Sequence, residues 1–435
     1  MAAQVENLGT LERRVSMSVA VEQIDRQVDE RLKQLARNVR MPGFRPGKVP
    51  MKLVAQQYGT QVRSEVLGDA VQKAFSEAVK EANLKVAGYP RIEKKGVQED
   101  AKSLEFSAVF EVYPEVRIGD LSGVTVEQPR VSVDEEAVAK TIGILRKQRT
   151  TWSAVPRPAQ DGDRASVDFE GRIGGEPFEG GKGAGVSFVI GENKMLPAFD
   201  ANVRGAGAGE TRTFELQFPA DYPRGEIAGK TASLTLSVKQ VEEPAVPELD
   251  GEFARRLGVA DGDLDKMRAE VKANVEREVK KRVEARVKNQ ALQALLDATP
   301  LELPKSLVHM ETQRLIETAA ADLRARGLKL ERVPLDPQAF EASAKRRVAL
   351  GLIFAELARA DNLQAKPAEV RALIEAEAQS YESPAEVVKW FYMQPQRLSE
   401  MESLALEGNV VNWVLGKAKV VEKAVSFDEL MGSGS

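Results

Sequence analysis

The chain has 435 residues, 43% of them apolar and 29% charged, enough for about three soluble domains with cores of their own. Its 62 basic and 66 acidic residues nearly cancel to a formal charge of −4, which excludes a polycation that coats nucleic acid along its whole length but not a local patch. With no cysteine and one histidine, it has no thiolate nucleophile, no disulfide framework and no histidine-rich metal centre.

From Met1 the chain shows no apolar run of signal-peptide type, and no stretch of about 18 apolar residues occurs anywhere. A soluble cytoplasmic protein is expected. Leu11–Ala20 and Leu104–Val112 alternate apolar and polar residues as half-buried strands do, and Val21–Arg40 and Met51–Leu84 between them have helical spacing. An α+β domain over 1–115 follows. Residues 116–150 form a bridge, helical over Val133–Thr150, expected to pack with the C-terminal helices and so make the next domain an insertion.

Residues 151–246 are rich in glycine and in short strands, at Arg164–Arg172, Val186–Ile190, Glu210–Phe218 and Ala232–Val241, with one brief helix at Leu196–Val203. This order predicts a small curved antiparallel sheet packed on that helix. Glu242-Glu-Pro-Ala-Val-Pro-Glu248 closes the domain, because proline resists both helix and central strand.

Residues 247–435 read as helix. Over Asp263–Thr299 the apolar residues Met267, Val271, Val275, Val279, Val283, Val287, Ala291 and Leu295 fall four apart. Each step of four overshoots a turn by about 40°, so the stripe winds around a helix about 55 Å long. Such a helix is expected to act as a spine with different partners along its length. His309 lies in the helical stretch Leu303–Ala320 and reads as an ordinary helix-surface residue. Trp390-Phe-Tyr-Met393 is denser in apolar surface than a polar helix needs, though core is the expected place for each residue. The fold class is multidomain α+β: an N-terminal α+β domain, an inserted antiparallel sheet domain with one short helix, and an all-α C-terminal domain.

Two constellations carry chemistry. From Arg31 through Ser64 the chain has Arg31, Lys33, Arg37, Arg40, Arg45, Lys48, Lys52 and Arg63 and no carboxylate, a local potential that attracts phosphates. At its centre, Met41-Pro-Gly-Phe-Arg-Pro-Gly-Lys-Val-Pro50 makes a shaped loop between helices. Two readings of it stand: a docking tip built on Phe44, Arg45 and Lys48, or a hairpin loop with Phe44 folded back onto its own domain. In the middle domain, Phe169, Phe178, Phe188, Phe199, Phe218 and Tyr222 are six of the chain's 24 aromatic residues, and Met195 and Leu196 add aliphatic surface. Phe188 and Phe218 read as core members. Gly225-Glu-Ile-Ala-Gly-Lys-Thr231 is no phosphate-binding loop, since it has one residue too few between its glycines and precedes a strand.

Gly43-Phe-Arg-Pro-Gly-Lys-Val-Pro50 resembles the ribosome-docking signature of bacterial trigger factors, with Gly43, Phe44, Arg45, Gly47 and Lys48 in place. Pro46 stands where many members have a basic residue. The order of motifs over 165–245 resembles FKBP-type peptidyl-prolyl isomerases. That resemblance implies that Phe169, Phe178, Met195, Leu196, Phe199 and Tyr222 line a proline pocket, with Glu179 in place of the family's aspartate and Phe199 where small relatives have tryptophan. Phe188 and Phe218 would support the pocket.

The resemblance implies a ribosome-associated chaperone that meets ribosomal protein and RNA at the tunnel exit and binds nascent and unfolded polypeptides in a helical cradle. It would isomerise X-Pro bonds without cofactor, metal or membrane. A free isomerase and a holdase with a vestigial pocket stay open as alternatives, as does a homodimer off the ribosome.

Overall fold

The computed structural model describes residues 4–42, 44, 48–95, 102–192, 194–220, 222, 226–328 and 335–432. The chain divides into two compact units, residues 1–128 with 286–422, and residues 129–285 with 423–435.

In the first unit, β1 (Gln4–Asn7), β2 (Glu12–Ala20), β3 (Val86–Lys95) and β4 (Ser103–Val112) form an antiparallel sheet in the order β1-β2-β4-β3. Helices α1 (Val21–Asn38) and α2 (Met51–Glu81) pack on it. Ile24, Val28 and Leu32 recur every four residues on α1, which turns one stripe inward against Val15, Met17 and Val19 of β2. From α2, Phe75 meets Phe110 of β4 edge to face at 5.2 Å.

Next come β5 (Thr125–Arg130), α3 (Glu135–Gln148), β6 (Thr151–Ala154), β7 (Arg164–Ile173), β8 (Glu176–Val189), α4 (Pro197–Val203), β9 (Thr211–Gln217) and β10 (Thr231–Ala245). These are followed by α5 (Gly251–Arg256), α6 (Leu264–Ala298), α7 (Lys305–Ala325), α8 (Pro337–Ala360), α9 (Pro367–Ala378), α10 (Pro384–Met393), α11 (Pro395–Lys417), β11 (Lys419–Ala424) and α12 (Phe427–Met431). The C-terminal third therefore adds one strand to its helices, and β11 pairs with β5. Proline opens α8, α9, α10 and α11, where its missing N–H is no loss and its fixed φ already suits a helix.

In the second unit, β10 is the centre of an antiparallel sheet. It pairs with β7 along one edge and shares its other edge between β9 and β6, while β8 extends the sheet beyond β7. Strand β8 is longer than the predicted Val186–Ile190, because the glycine-rich run before it also pairs with β7. Val167, Leu216, Leu234 and Leu236 turn inward onto Phe199 and Val203 of α4.

The winding stripe of α6 finds different cores. Met267, Val271, Val275 and Val279 pack with Val138 and Ile142 of α3 and with Phe253 of α5. Ala291, Leu292 and Leu295 belong instead to the helical core of the first unit, with Ile353 and Leu357 of α8 and Val410 and Val414 of α11.

Candidate functional site

Strand alternation turns Ala165, Val167 and Phe169 of β7 to the sheet's inner face, against α4. Phe169 meets Phe199 of α4 edge to face at 5.4 Å, and Phe199 meets Phe214 of β9 at 5.9 Å. A second row runs from Phe178 of β8 to Phe218 at 5.9 Å and on to Tyr222 at 5.0 Å. Such edge contacts fix ring orientation as well as burying area.

The two rows face a cavity of about 660 Å³. Phe169, Phe178, Glu179, Met195, Leu196, Phe199 and Tyr222 all line it, and so does Phe218. Phe188 does not; it is buried in the domain core behind. Phe199 is buried at 4% exposure, and Glu179 lies exposed at the rim.

Glycine makes the cavity possible. A Cβ on Gly183 would lie 2.5 Å from the Phe169 ring, and one on Gly181 2.9 Å from the Phe178 ring. At these two positions each ring approaches the bare backbone more closely than a side chain would allow. This accounts for a glycine-rich strand that weak β-propensity argues against.

Among the residues lining the cavity, Glu179, Lys194 and Tyr222 are those with ionisable side chains. Asp168 is not among them. The Gly185 N–H and the Lys239 ammonium hold its carboxyl below the usual carboxylate range, so it stays charged on the sheet's other face. Among the described residues, no cluster of three or more His, Asp or Glu side chains could hold a metal ion. His309 is exposed on α7 and hydrogen-bonded to Gln313.

The sequence reading missed Gly180, Gly181, Lys194, Pro197, Leu216, Ile227 and Leu234 in the lining. Alternation along β9 and β10 would have pointed to Leu216 and Leu234. Ile227 lies in the segment that imitates a phosphate loop. It is 8% exposed and turned into the cavity, so the segment is a turn leading into β10.

The basic loop contrasts with this pocket. Met41 and Val49 pack on the N-terminal core, Val49 at 7% exposure. Between them Phe44 is 41% exposed and Lys48 is exposed, so Phe44 is not folded back into the domain. Gly43, Arg45 and Gly47 lie outside the described residues. Arg31, Lys33, Arg37, Arg40 and Lys52 are exposed as well, and Arg63 pairs with Asp25 at 2.7 Å.

A curved antiparallel sheet over one short helix, with an aromatic cavity between them, defines an FKBP-type isomerase domain. Residues 155–241 match the family model described as FKBP-type peptidyl-prolyl cis-trans isomerase. Residues 1–145 match that of bacterial trigger factor protein, and 263–416 that of its C-terminus. The chain is 54% identical to a trigger factor of Aromatoleum aromaticum over all of both chains. It is also 54% identical to one of an Azoarcus species, over 98% of this chain and 97% of that one.

A solved structure, described as "Promiscuous Substrate Recognition in Folding and Assembly Activities of the Trigger Factor Chaperone", covers 95% of this chain and 99% of its own at 20% identity and a TM-score of 0.47. The chain belongs to the trigger factor family, on the strength of its three matching domain models and its full-length relatives. It is a ribosome-associated chaperone with a peptidyl-prolyl cis-trans isomerase domain. No described helix is long and apolar enough to cross a membrane.

Proposed function

We propose that the cavity over α4 binds proline within a client chain, with Phe169, Phe178, Glu179, Met195, Leu196, Phe199 and Tyr222 as its catalytic lining. In this reading Phe188 and Phe218 support it, Phe188 from the core behind and Phe218 from the cavity wall, where it backs Phe178 and Tyr222. The observation that carries the reading is the convergence of seven residues, spread from position 169 to 222, on one cavity of about 660 Å³.

Rotation about an amide meets a barrier of about 18–20 kcal/mol because the planar form is resonance-stabilised and polar. A dry aromatic wall solvates that planar form poorly and accepts a twisted amide, so it binds the transition state better than the ground state. No nucleophile or acid–base pair is needed. Uncatalysed X-Pro isomerisation takes tens to hundreds of seconds, long enough to delay a folding chain.

Docking falls to Gly43, Phe44, Arg45, Gly47 and Lys48, against ribosomal protein and RNA at the tunnel exit in the cytoplasm. The exposed Phe44 and Lys48 and the carboxylate-free basic stretch support this. We assign docking to 1–115, isomerisation to 151–246 and the binding of nascent or unfolded chains to 247–435, with 116–150 as a bridge. Trp390, Tyr392 and Met393 are 44%, 46% and 81% exposed, while Phe391 between them is buried at 7% and holds α10 in place. That apolar surface suits unfolded clients.

The test is co-sedimentation with salt-washed ribosomes, comparing the wild type with Phe44→Ala/Arg45→Ala/Lys48→Ala. Binding by the wild type alone, weakening as salt rises, is expected. Equal binding by both would put the docking site elsewhere.

A further inference from the structure

One buried carboxylate in the isomerase domain has no part in the pocket chemistry described above. After β8 the chain turns at Gly191, whose φ of +87° favours glycine, and passes along the cavity as Lys194, Met195 and Leu196 before Pro197 opens α4. Asp200, one turn into that helix, is only 6% exposed. Its Oδ2 accepts the Gly191 N–H at 2.8 Å, and its Oδ1 has no hydrogen-bond partner among the described residues. A carboxylate is expensive to bury with half its acceptor capacity unused, so its position calls for a compensating role.

We propose that Asp200 is a positioning residue of the isomerase pocket. Its carboxylate ties Gly191 to α4, and so holds Met195 and Leu196 as a wall while setting the ring of Phe199. The inference rests on the reading of this cavity as the proline pocket.

Three observations favour the carboxylate as the tie that matters. It is shielded from water, where a hydrogen bond is strongest. The neighbouring tie, Arg204 to Asp161 at 2.6 Å, joins side chains 49% and 65% exposed and holds little. Finally, Asp200 follows Phe199 directly, and the Phe199 N–H donates to the Leu196 carbonyl at 2.8 Å. A shift at Asp200 therefore reaches the floor and the wall of the cavity together. Because catalysis here is a matter of fit to a twisted amide, a loosened wall lowers turnover more than it weakens ground-state binding.

The test uses the full-length protein and a synthetic Leu-Pro peptide, with kcat and KM resolved for wild type, Asp200→Asn, Asp200→Ala and Asp200→Ser. Asn keeps an acceptor for Gly191, whereas Ala has none and Ser is one atom too short to reach. Asn should retain kcat within about twofold, while Ala and Ser lose about tenfold in kcat with KM changed less than about threefold. The Gly191 amide should exchange faster with solvent in Ala and Ser alone.

Wild-type kcat in the Ala variant, or an equal loss in Asn, would overturn the proposal. Unfolding of both Ala and Ser would overturn it too, since the carboxylate would then hold the whole domain. Phe199→Leu, run alongside, separates the two readings. Full activity there would sink the pocket assignment itself, whereas lost activity there with an active Asp200→Ala would sink only the role of Asp200.

Discussion

The isomerase cavity and the basic loop are built in opposite ways. The cavity collects side chains from β7, β8, α4, β9 and β10, and its rings are locked edge to face. The loop is one short run of chain, anchored at its flanks by Met41 and Val49, with Phe44 left 41% exposed. A site of the first kind depends on packing throughout its domain. One of the second kind depends on its own side chains and on ionic strength. Mutations should therefore separate them cleanly, and the sharpest separation comes from the loop. Removing Phe44, Arg45 and Lys48 together should lower ribosome affinity about a hundredfold, because an aromatic anchor and two cations go at once. Peptide isomerisation by that variant should match wild type; a parallel fall would mean that the two regions are coupled.

The converse variant is Phe199→Leu. Phe199 is 4% exposed and touches two other rings, so truncation to Ala would open a core cavity and cost about 3–5 kcal/mol of stability. Leu nearly keeps the volume and removes the aromatic floor. We expect kcat/KM on a Leu-Pro peptide to fall about thirtyfold, while suppression of aggregation of an unfolded client stays at the wild-type level. Loss of both activities in a folded variant would show that clients are held through the pocket.

How much of this was legible in the sequence also differs between regions. Strands β2, β7 and β10 bury alternate residues, and α6 announced its changing partners by a spacing of four. Strand β4, where alternation was expected, instead buries Phe106 through Phe110 in a row because it lies between β2 and β3. The first half of β8 was hidden, because Gly181 and Gly183 carry no pattern and show their purpose only once the rings of Phe169 and Phe178 lie across them. Strand β11 was hidden for another reason: all six of its residues are exposed, so it has no apolar face to betray it. Nothing in the pattern around Asp200 marks it as buried, and its place shows only once Gly191, nine positions earlier, is seen to donate to it. The aromatic lining could be named from resemblance, but what holds it in place could not.

A smaller effect probes the frame beneath the pocket. Asp163, whose side chain is 3% exposed, accepts both guanidinium nitrogens of Arg157, at 2.6 and 3.0 Å, and the Gln160 N–H at 2.9 Å. Burial alone would push its carboxyl up, but Arg157 and Gln160 together hold it below the usual range. Its carbonyl accepts the N–H of Ile190, one residue before Gly191, at 3.0 Å. Asp163→Asn should destabilise the isomerase domain by about 2 kcal/mol, because Arg157 loses a charged partner. Denaturant midpoints followed by probes in each unit should show the fall in residues 129–285 alone. An equal fall in both units would contradict local control of the pocket.

The smallest effect lies in the N-terminal domain, where one carboxylate joins sheet and helix. Glu111 of β4 accepts the backbone N–H groups of Lys305 and Ser306 at 2.9 and 2.7 Å, satisfying two donors at the start of α7. The Ser306 hydroxyl donates to the Ala87 carbonyl at 2.9 Å. Gly88 permits the approach, since a Cβ there would lie 2.6 Å from that of Ser306. Burial pushes the Glu111 carboxyl up, yet the hydrogen bonds from Ser306 and Lys305 and the Lys305 charge outweigh it and leave it below its ordinary value of 4.5. A carboxyl lowered on folding contributes stability that is full above its unfolded value and lost as pH falls through the folded one. Glu111→Gln keeps the shape without the charge, so wild type should exceed it by about 1 kcal/mol near neutral pH. That margin should shrink as pH drops below 4.5. A margin that stays constant across the same range would mean that Glu111 acts through packing alone, and this junction of the N-terminal sheet with α7 would then be held by shape and not by charge.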